Sequence, residues 1–452
     1  MSKTSSVTVI RNSRINSSSL IISNEVSEEL DLSEGVTISF YSGKLVSRLK
    51  IIISNKSGRV LELNPVVLRS LHITAPHKYG INILNERLHI GPVVGIMAET
   101  GNDRNRPFGG QSYFIKELDI AARDLGEICF GFDPRSINFR NKTVTGYTYI
   151  NGGWKRRIFP IPDIVYPREG GYSSSKLQIR QKLEALGCKF INPPLLGKWQ
   201  THQILSEDLS LGQYIPDTRR ANTFQQVNGM LRRYGSVYIK PITGSQGRDI
   251  IRVIKVRNSN VYRYQYKVNY QPYAGTAYNL NSLRQNLRSI MSSRNYIVQR
   301  QINLLKVDGN IADVRVLVQK DGSGQWSITG KAFRIGKRGS ITSNISGGGK
   351  GQKLEIVLSR YFSDPRMRDR IINEVNYLAL EAAKALEMHT ASIGELGIDI
   401  GIDVKGKLWF IEANLKPARK IFLLIGEKST RRMSIRKPLL YARYLAGFSP
   451  ER

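Results

Sequence analysis

The chain has 452 residues, 40% of them hydrophobic and 23% charged, with 68 Lys+Arg against 36 Asp+Glu and a formal net charge of +32. That length and hydrophobic content suit two to four domains with full cores and exclude a disordered or fibrous chain. The two cysteines, Cys129 and Cys188, are far apart, which excludes a disulfide scaffold and a cysteine metal site and fits a reducing compartment.

The N-terminus is Ser-rich and lacks the apolar core of a signal peptide, and no run approaches a membrane span. A soluble protein made in the cytoplasm is expected. Net charge is +4 over 1–90, +5 over 91–195 and +23 over 196–452. The last segment is expected to favour an anionic partner: nucleotide, nucleic acid, acidic polymer or anionic surface. A basic surface that is merely solvated is the alternative. No helix-turn-helix, zinc-finger or RRM signature supports nucleic acid, so it is not the expected partner.

Residues 1–90 hold short apolar runs (Val7–Ile10, Val36–Phe40, Lys50–Ile53, Val60–Leu63) bounded by Ser, Asn or Gly, which predicts a small β-rich domain. His72, His77 and His89 are too scattered for a metal site. Residues 91–195 read strand, helix (Ser112–Leu125), strand (Glu127–Phe132), a βαβ unit with a parallel sheet. It has no GxGxxG fingerprint. A hairpin turn at Ile150–Trp154, a strand at Pro160–Tyr166 and a helix at Ser173–Leu186 complete this α/β domain.

From 196 onward, helices are predicted at Trp199–Leu209 and Thr223–Tyr234. Strand Ser236–Lys240 and strand Ile250–Ile254 flank a glycine loop, Pro241 to Arg248. Strand–loop–strand is a hairpin flap and not a Walker A loop. Gly244 and Gly247 would let backbone N–H groups approach phosphates, with Lys240 beside them as a point charge. Strands follow at Tyr296–Ile302, Ala312–Val318 and Trp326–Arg334. Asp313 and Arg315 sit two apart on one face, which reads either as part of a site or as a surface ion pair. Asp364-Pro365 opens a helix to Met388, with Ile372, Val375, Leu378, Ala379 and Ala382 on one stripe. A basic tail holds Arg419, Lys420, Lys428, Arg431, Arg432, Arg436 and Lys437. No internal repeat is evident.

The stretch Glu395–Lys416 reads as a β-hairpin about Lys405-Gly406. With a two-residue loop, Asp399 falls opposite Glu412, and Asn414 shares their face. Ile398, Ile400 and Ile402 point the other way with Trp409, Ile411 and Ala413. Two carboxylates and an amide gathered on one face suit Mg²⁺, which binds one or two carboxylates and leaves room for phosphate oxygens. A solvated hairpin with surface acids is the alternative.

The segments GKWQTHQIL, VYIKPITGSQG, YIVQRQI, DVRVLV, SNISGGG, GIDIGID and FIEANLKP follow one another in this order. On them, residues 196–417 resemble the ATP-grasp superfamily, and the whole chain resembles the YheC/YheD endospore coat-associated family within it. The resemblance implies an α/β (α+β) ATP-grasp fold: a β-rich domain at 1–90, an α/β pre-grasp domain at 91–195 and an ATP-grasp domain at 196–452 ending in the basic tail. It implies that Lys198 and Lys240 hold ATP phosphates and that Gly244, Ser245, Gln246 and Gly247 form the flap. Gln299 with Arg300, Gln301 and Ile302 would be the adenine hinge. Arg315 would stabilise the transferred phosphoryl group, Arg334 and Asn344 would assist, and Asp399, Glu412 and Asn414 would bind Mg²⁺.

The implied activity is a carboxylate–amine or carboxylate–thiol ligase acting through an acylphosphate, forming ADP and phosphate. The expected partners are ATP, a carboxylate and an amine, with an anionic polymer or the spore surface for the basic face. The expected location is the mother-cell cytoplasm and the spore coat. The other reading is a structural, nucleotide-binding coat protein with little or no turnover.

Overall fold

The computed structural model describes residues 3–448 except 172, 195, 243–248, 269–270, 292–294, 344, 346–347 and 391. The chain forms two compact units: Met1–Pro194 with Lys320–Gln325 and Arg432–Arg452, and Leu195–Gln319 with Trp326–Arg431. No helix among the described residues is long and apolar enough to cross a membrane.

The first unit begins with a closed barrel. Its elements are β1 (Lys3–Arg11), β2 (Ser19–Ser23), α1 (Asn24–Leu30), β3 (Thr37–Ser42), β4 (Leu45–Ser54), β5 (Val60–Leu63), α2 (Pro65–Ser70), β6 (His77–Leu84) and β7 (Arg87–Gly91). Contrary to the expectation of no internal repeat, β1-β2-α1-β3 and β4-β5-α2-β6 are two copies of one pattern. β1 runs parallel to β5 as β4 does to β2, and β1 is antiparallel to β6 as β4 is to β3. Each helix starts after a capping position (Ser23, Asn64) and is followed within two residues by a left-handed residue, Asp31 (φ 59°) or His72 (φ 53°). Leu32 N–H then bonds Ser27 O (2.8 Å), as Ile73 N–H bonds Leu68 O (2.9 Å). The repeat rests on a cap, a few apolar positions and one αL turn, so it leaves almost no identity to read. Closing the barrel removes sheet edges and buries Val7, Val9, Leu20, Ile22, Phe40, Leu61 and Ile81 inside.

An open sheet follows, in the order β11-β10-β9-β8-β12-β13. β8 (Val93–Met97), α3 (Ser112–Asp124) and β9 (Ile128–Asn138) make the βαβ unit, with β8 and β9 parallel. β10 (Thr143–Ile150) and β11 (Gly153–Pro160) turn through Asn151-Gly152, both at positive φ, as a two-residue hairpin requires. β12 (Ile164–Pro167), α4 (Ser174–Ala185) and β13 (Lys189–Phe190) complete it.

The second unit holds two sheets. The first, in the order β14-β19-β15-β16-β17-β18, is introduced by α5 (Lys198–Glu207). It contains β14 (Thr218–Arg220), α6 (Phe224–Tyr234), β15 (Ser236–Pro241), β16 (Ile251–Lys255), β17 (Tyr262–Val268), β18 (Gln271–Ala277), α7 (Leu280–Ile290) and β19 (Tyr296–Arg300). α6 and α7 cover one face through Val227, Met230, Leu231, Leu283 and Leu287. The other face stays polar. The second sheet runs β23-β22-β21-β24-β25, with β20 (Lys306–Val307) paired to β21 (Asn310–Lys320). It also contains β22 (Trp326–Ile335), β23 (Lys350–Gln352), α8 (Leu354–Tyr361), α9 (Pro365–Met388), β24 (Glu395–Ile402) and β25 (Leu408–Asn414).

Helix α9 is capped by the Asp364 carboxylate accepting from Arg366 N–H, with Pro365 in the first turn. Its buried stripe runs through Ile371, Val375, Leu378, Ala379, Ala382 and Leu386; Ile372 is half-buried at its margin. α10 (Lys420–Leu424) and α11 (Lys428–Leu445) end the chain. The segment read as a basic tail is thus largely helix. Ile435, Leu439 and Ala442 recur at helical spacing and pack with Val94, Ile96 and Leu118 in the first unit. Nor is Arg419 an exposed cation. It is 3% exposed and pairs with Glu395, 0% exposed, which also accepts from Gln319 Nε2 at 2.9 Å.

That pair anchors the start of β24. Arg419→Met leaves the buried Glu395 carboxylate without this cation, and is expected to cost about 3–5 kcal/mol. Urea unfolding of the full chain measures it. The double variant Glu395→Gln/Arg419→Met is expected to recover most of the loss; equal instability of both would remove the pair from this role.

Candidate functional site

β24 lies between β21 and β25, so each of its residues has two cross-strand neighbours. Arg315 of β21 is the register partner of Asp399, and Glu412 of β25 is its partner on the other side. The polar row Arg315–Asp399–Glu412 therefore crosses three strands. Asp399 is 3% exposed. Its Oδ1 accepts from Arg315 Nε at 2.5 Å and its Oδ2 from Arg315 Nη2 at 3.1 Å. Arg334 Nη2 adds a contact to Oδ2 at 2.7 Å. Burial alone would raise the Asp399 pKa; Arg315 and Arg334 outweigh it and hold the carboxyl below its usual range.

The surface ion pair that was the alternative reading of Asp313 and Arg315 is not formed. Both are buried, and each turns to another strand. Asp313 accepts from Arg334 Nε (2.8 Å) and Nη2 (2.6 Å), and from Ser343 Oγ. Burial would weaken the hold of Arg334 on its proton, but Asp313 and Asp399 raise its pKa. Ser343 was not singled out in the sequence; only its neighbour Asn344 was, and Asn344 lies outside the described residues.

The register between Asp399 and Glu412 is as read, but not for the reason given. The turn has three residues: Asp403 N–H bonds Lys407 O (2.9 Å), leaving Val404, Lys405 and Gly406 in the loop. A bulge at Ile411 absorbs the shift, so Ile400 pairs with Phe410 and Asp399 still meets Glu412. The greasy face is therefore Ile398, Ile400, Ile402, Leu408 and Phe410, packed with α9 residues. Trp409 and Ile411 belong to the other face, a correction to the alternation read from sequence. Trp409 Nε1 donates to Asp403 Oδ2 (3.1 Å), and Ile411 lies over Gly401. Gly397 must lack a side chain here: a Cβ would lie 2.7 Å from Pro417 Cβ and 3.3 Å from Arg315 Nη1.

Asn414 Nδ2 lies 3.4 Å from Asp399 Oδ2. With Asp399 and Glu412 it makes a set of two carboxylates and an amide. Among the described residues no group of three or more His, Cys, Asp and Glu side chains is placed to hold a metal ion. The donors present are hard oxygens, few in number, which suits Mg²⁺ with open positions better than Zn²⁺ or a caged Ca²⁺.

Two lysines border this set. Lys198, at the start of α5, lies 3.6 Å from Glu412 Oε1. Lys240 Nζ donates to Gln299 Oε1 at 2.6 Å, and Gln299 Nε2 donates to Thr218 Oγ1 at 2.9 Å. Burial pushes the Lys240 pKa down to about 8; Glu412 and Asp399 oppose this and Lys198 adds to it. β19 ends at Arg300, whose guanidinium lies over Tyr234 and Trp409, and is followed by Gln301, which accepts from Arg252 Nε at 2.8 Å. Leu304 then fills the notch at Gly401, and Leu305 N–H bonds Ile402 O at 2.7 Å, tying this segment to β24. Gly244, Ser245, Gln246 and Gly247 lie outside the described residues. The remaining proposed residues, Lys198, Lys240, Gln299–Ile302, Arg315, Arg334, Asp399, Glu412 and Asn414, all belong to the second unit.

Residues 187–445 match the model of the YheC/D-like ATP-grasp family. The endospore coat-associated protein YheD of Bacillus subtilis (strain 168) is 30% identical over 386 residues, covering 82% of this chain and 83% of that protein. YheC of the same organism is 24% identical over 329 residues, 71% of this chain and 89% of that one. Among solved structures, the ATP-grasp ligase PsnB with its minimal precursor has a TM-score of 0.44 at 14% identity, covering 76% of this chain and 97% of that one. The D-alanine-D-alanine ligase from Coxiella burnetii has a TM-score of 0.44 at 11% identity, covering 78% and 96%. On the family match and the extent of the YheD similarity, this chain belongs to the YheC/D-like ATP-grasp family.

Proposed function

We propose that the chain is an ATP- and Mg²⁺-dependent ligase that activates a carboxylate as an acylphosphate and passes the acyl group to an amine or thiol. The observation that carries this is the convergence of Lys198 of α5, Lys240 of the first sheet, and Arg315 and Arg334 of the second with Asp313, Asp399 and Glu412: four cations against three carboxylates. Such a cluster takes a polyanion together with a divalent cation. Asp399, Glu412 and Asn414 would hold Mg²⁺, which when bound supplies charge neutralisation to phosphate oxygens. Lys198 and Lys240 supply point charges to the phosphates. Arg315 and Arg334, held rigidly by Asp399 and Asp313, present fixed N–H donors where charge develops on a transferred phosphoryl group. Gln299, on the neighbouring strand, fixes Lys240 by accepting from its Nζ.

This chemistry needs no protein nucleophile. Cys129 and Cys188 are both buried in the first unit, and burial pushes their thiols up, Cys188 to about 12. The names of YheD and YheC place those proteins at the endospore coat, and we extend that association to this chain. A second reading, nucleotide binding with little turnover, is favoured by one feature: both arginines are already engaged by aspartates.

Calorimetry with ATP, with and without Mg²⁺, tests the site. Wild type is expected to bind Mg·ATP more tightly than ATP alone. Glu412→Gln is the clean variant, because Glu412 is half-buried and contacts Lys198; it should lose at least about tenfold of the Mg²⁺-dependent gain. Asp399→Asn would leave two buried arginines undercompensated and is expected to destabilise the fold as well. No effect of Mg²⁺ in wild type would remove the metal assignment.

Lys240 makes nucleotide binding pH-dependent. Its depressed pKa means that it loses its proton above about 8 in the free protein. A phosphate requires the charged form, so binding takes up a proton there. Affinity for Mg·ATP should be flat below that pH and fall by roughly tenfold per unit above it. Lys240→Arg should abolish the dependence. A wild-type profile flat to pH 9.5, with a control nucleotide site unchanged, would sink the role of Lys240.

For turnover, ADP release is screened against acids and amines. Arg315→Met should lower the rate by about 100- to 1,000-fold. Mg·ATP binding without ADP release across the panel would favour the second reading.

A further inference from the structure

The polar face of the first sheet of the second unit carries more positive charge than the nucleotide reading uses. Gln299, Tyr238, Arg252 and Gln265 are successive register partners across β19, β15, β16 and β17. Opposed residues share a face. Lys240 lies two residues beyond Tyr238, and Lys267 two beyond Gln265, so both are on it. Lys240 and Lys267 are two strands apart, about 10 Å between Cα atoms. Arg252 stands between them, one residue pair along.

Among the described residues, neither Arg252 nor Lys267 has a carboxylate partner. Arg252 donates to the side-chain oxygens of Gln301 (2.8 Å) and Gln265 (3.3 Å). Lys267 Nζ donates to Ser340 Oγ at 2.8 Å, and Ser340 Oγ in turn to Thr342 O at 2.6 Å. Both cations are half-buried. Burial lowers the Lys267 pKa, and no carboxylate opposes it. By contrast, Arg315, Arg334, Arg419 and Lys198 each hold an acid. A partly desolvated cation held only by neutral oxygens is poised for an anion. The phosphates assigned to Lys198 and Lys240 leave this pair over.

We propose that Arg252 and Lys267 form a second anion site beside Lys240, and that the acid substrate carries a further anionic group, carboxylate or phosphate, besides the carboxylate that is activated. This rests on the ligase reading above.

The test is calorimetric binding of glutarate, 3-phosphonopropionate and pentanoate to the full chain loaded with Mg·AMP-PNP. All three have a terminal carboxylate. The first two add a second anionic group and the third ends in a methyl group. Glutarate or 3-phosphonopropionate should bind and pentanoate should not; which of the two binds more tightly identifies the second group. Arg252→Gln and Lys267→Met should each weaken that binding by roughly tenfold, with Mg·AMP-PNP affinity unchanged. Equal binding of pentanoate, binding of none of the three, or unchanged affinity in both variants overturns the proposal. So does a matching loss of Mg·AMP-PNP affinity, which would make these residues nucleotide ligands. If wild type fails to load with Mg·AMP-PNP, the nucleotide reading fails by itself. The same three acids on the unloaded protein and both variants then decide the anion site.

Discussion

A carboxylate at 3% exposure in the middle of a sheet is unfavourable unless cations accompany it, and Asp399 has two. That constraint orders the second unit. Arg315 must come from β21 and Arg334 from β22, so three strands must be in register before the charge is balanced. Asp313 then balances the second arginine, and Ser343 bonds Asp313 from the loop beyond β22. The opposite face of the same strands buries Ile398, Ile400, Val314 and Val316 against α9. A slip of one residue would put aspartate among the alanines of α9 and isoleucine among the arginines. The polar cluster and the core thus enforce one register.

The hairpin shows how much of this was legible in the sequence. Alternation and a Lys-Gly turn were enough to oppose Asp399 to Glu412. They could not reveal that the turn has three residues and that a bulge at Ile411 compensates. Two departures of opposite sign cancelled at the site and not near the turn, which is why the acids were placed on their face and Trp409 was not. The ion pairs were less accessible. Asp313 and Arg315 are two apart, and local spacing suggests each other as partners; their actual partners are Arg334 and Asp399, set by strand order. The barrel repeat was hidden for a related reason. Its two copies share pairings and a left-handed turn, and those demand only a cap residue and a few apolar positions. The family resemblance, by contrast, was carried by short motifs whose order along the chain needs no pairing information.

Net charge misled in one respect. The C-terminal segment read as a basic cluster within a charge that favours an anionic partner, but Arg419, Arg431 and Arg443 are nearly fully buried. Arg419 pairs with Glu395, and Arg443 donates to Leu125 O at 2.9 Å within the first unit. Counting lysines and arginines cannot separate cations that hold the fold from cations that meet a partner. Arginine suits the first role because its planar fork satisfies several acceptors at once.

What separates the two roles is the company each cation keeps. Where a buried guanidinium meets a carboxylate in fork geometry, as at Arg315 and Arg334, the charge is already balanced and the group is fixed in place. It can then act on a passing charge without having to be ordered first. Where a half-buried cation leans on amide and hydroxyl oxygens alone, as at Arg252 and Lys267, the balance is left open. Lys240 falls between: it is bonded to Gln299, drawn by Glu412 and Asp399, and still depressed by burial. An arriving anion is worth most to the groups whose charge is least compensated. The cations of the two sheets therefore grade from fixed donors at Arg315 and Arg334, through Lys240, to open charge at Arg252 and Lys267. That gradient is the physical reason to assign catalysis to the first end and recognition to the last.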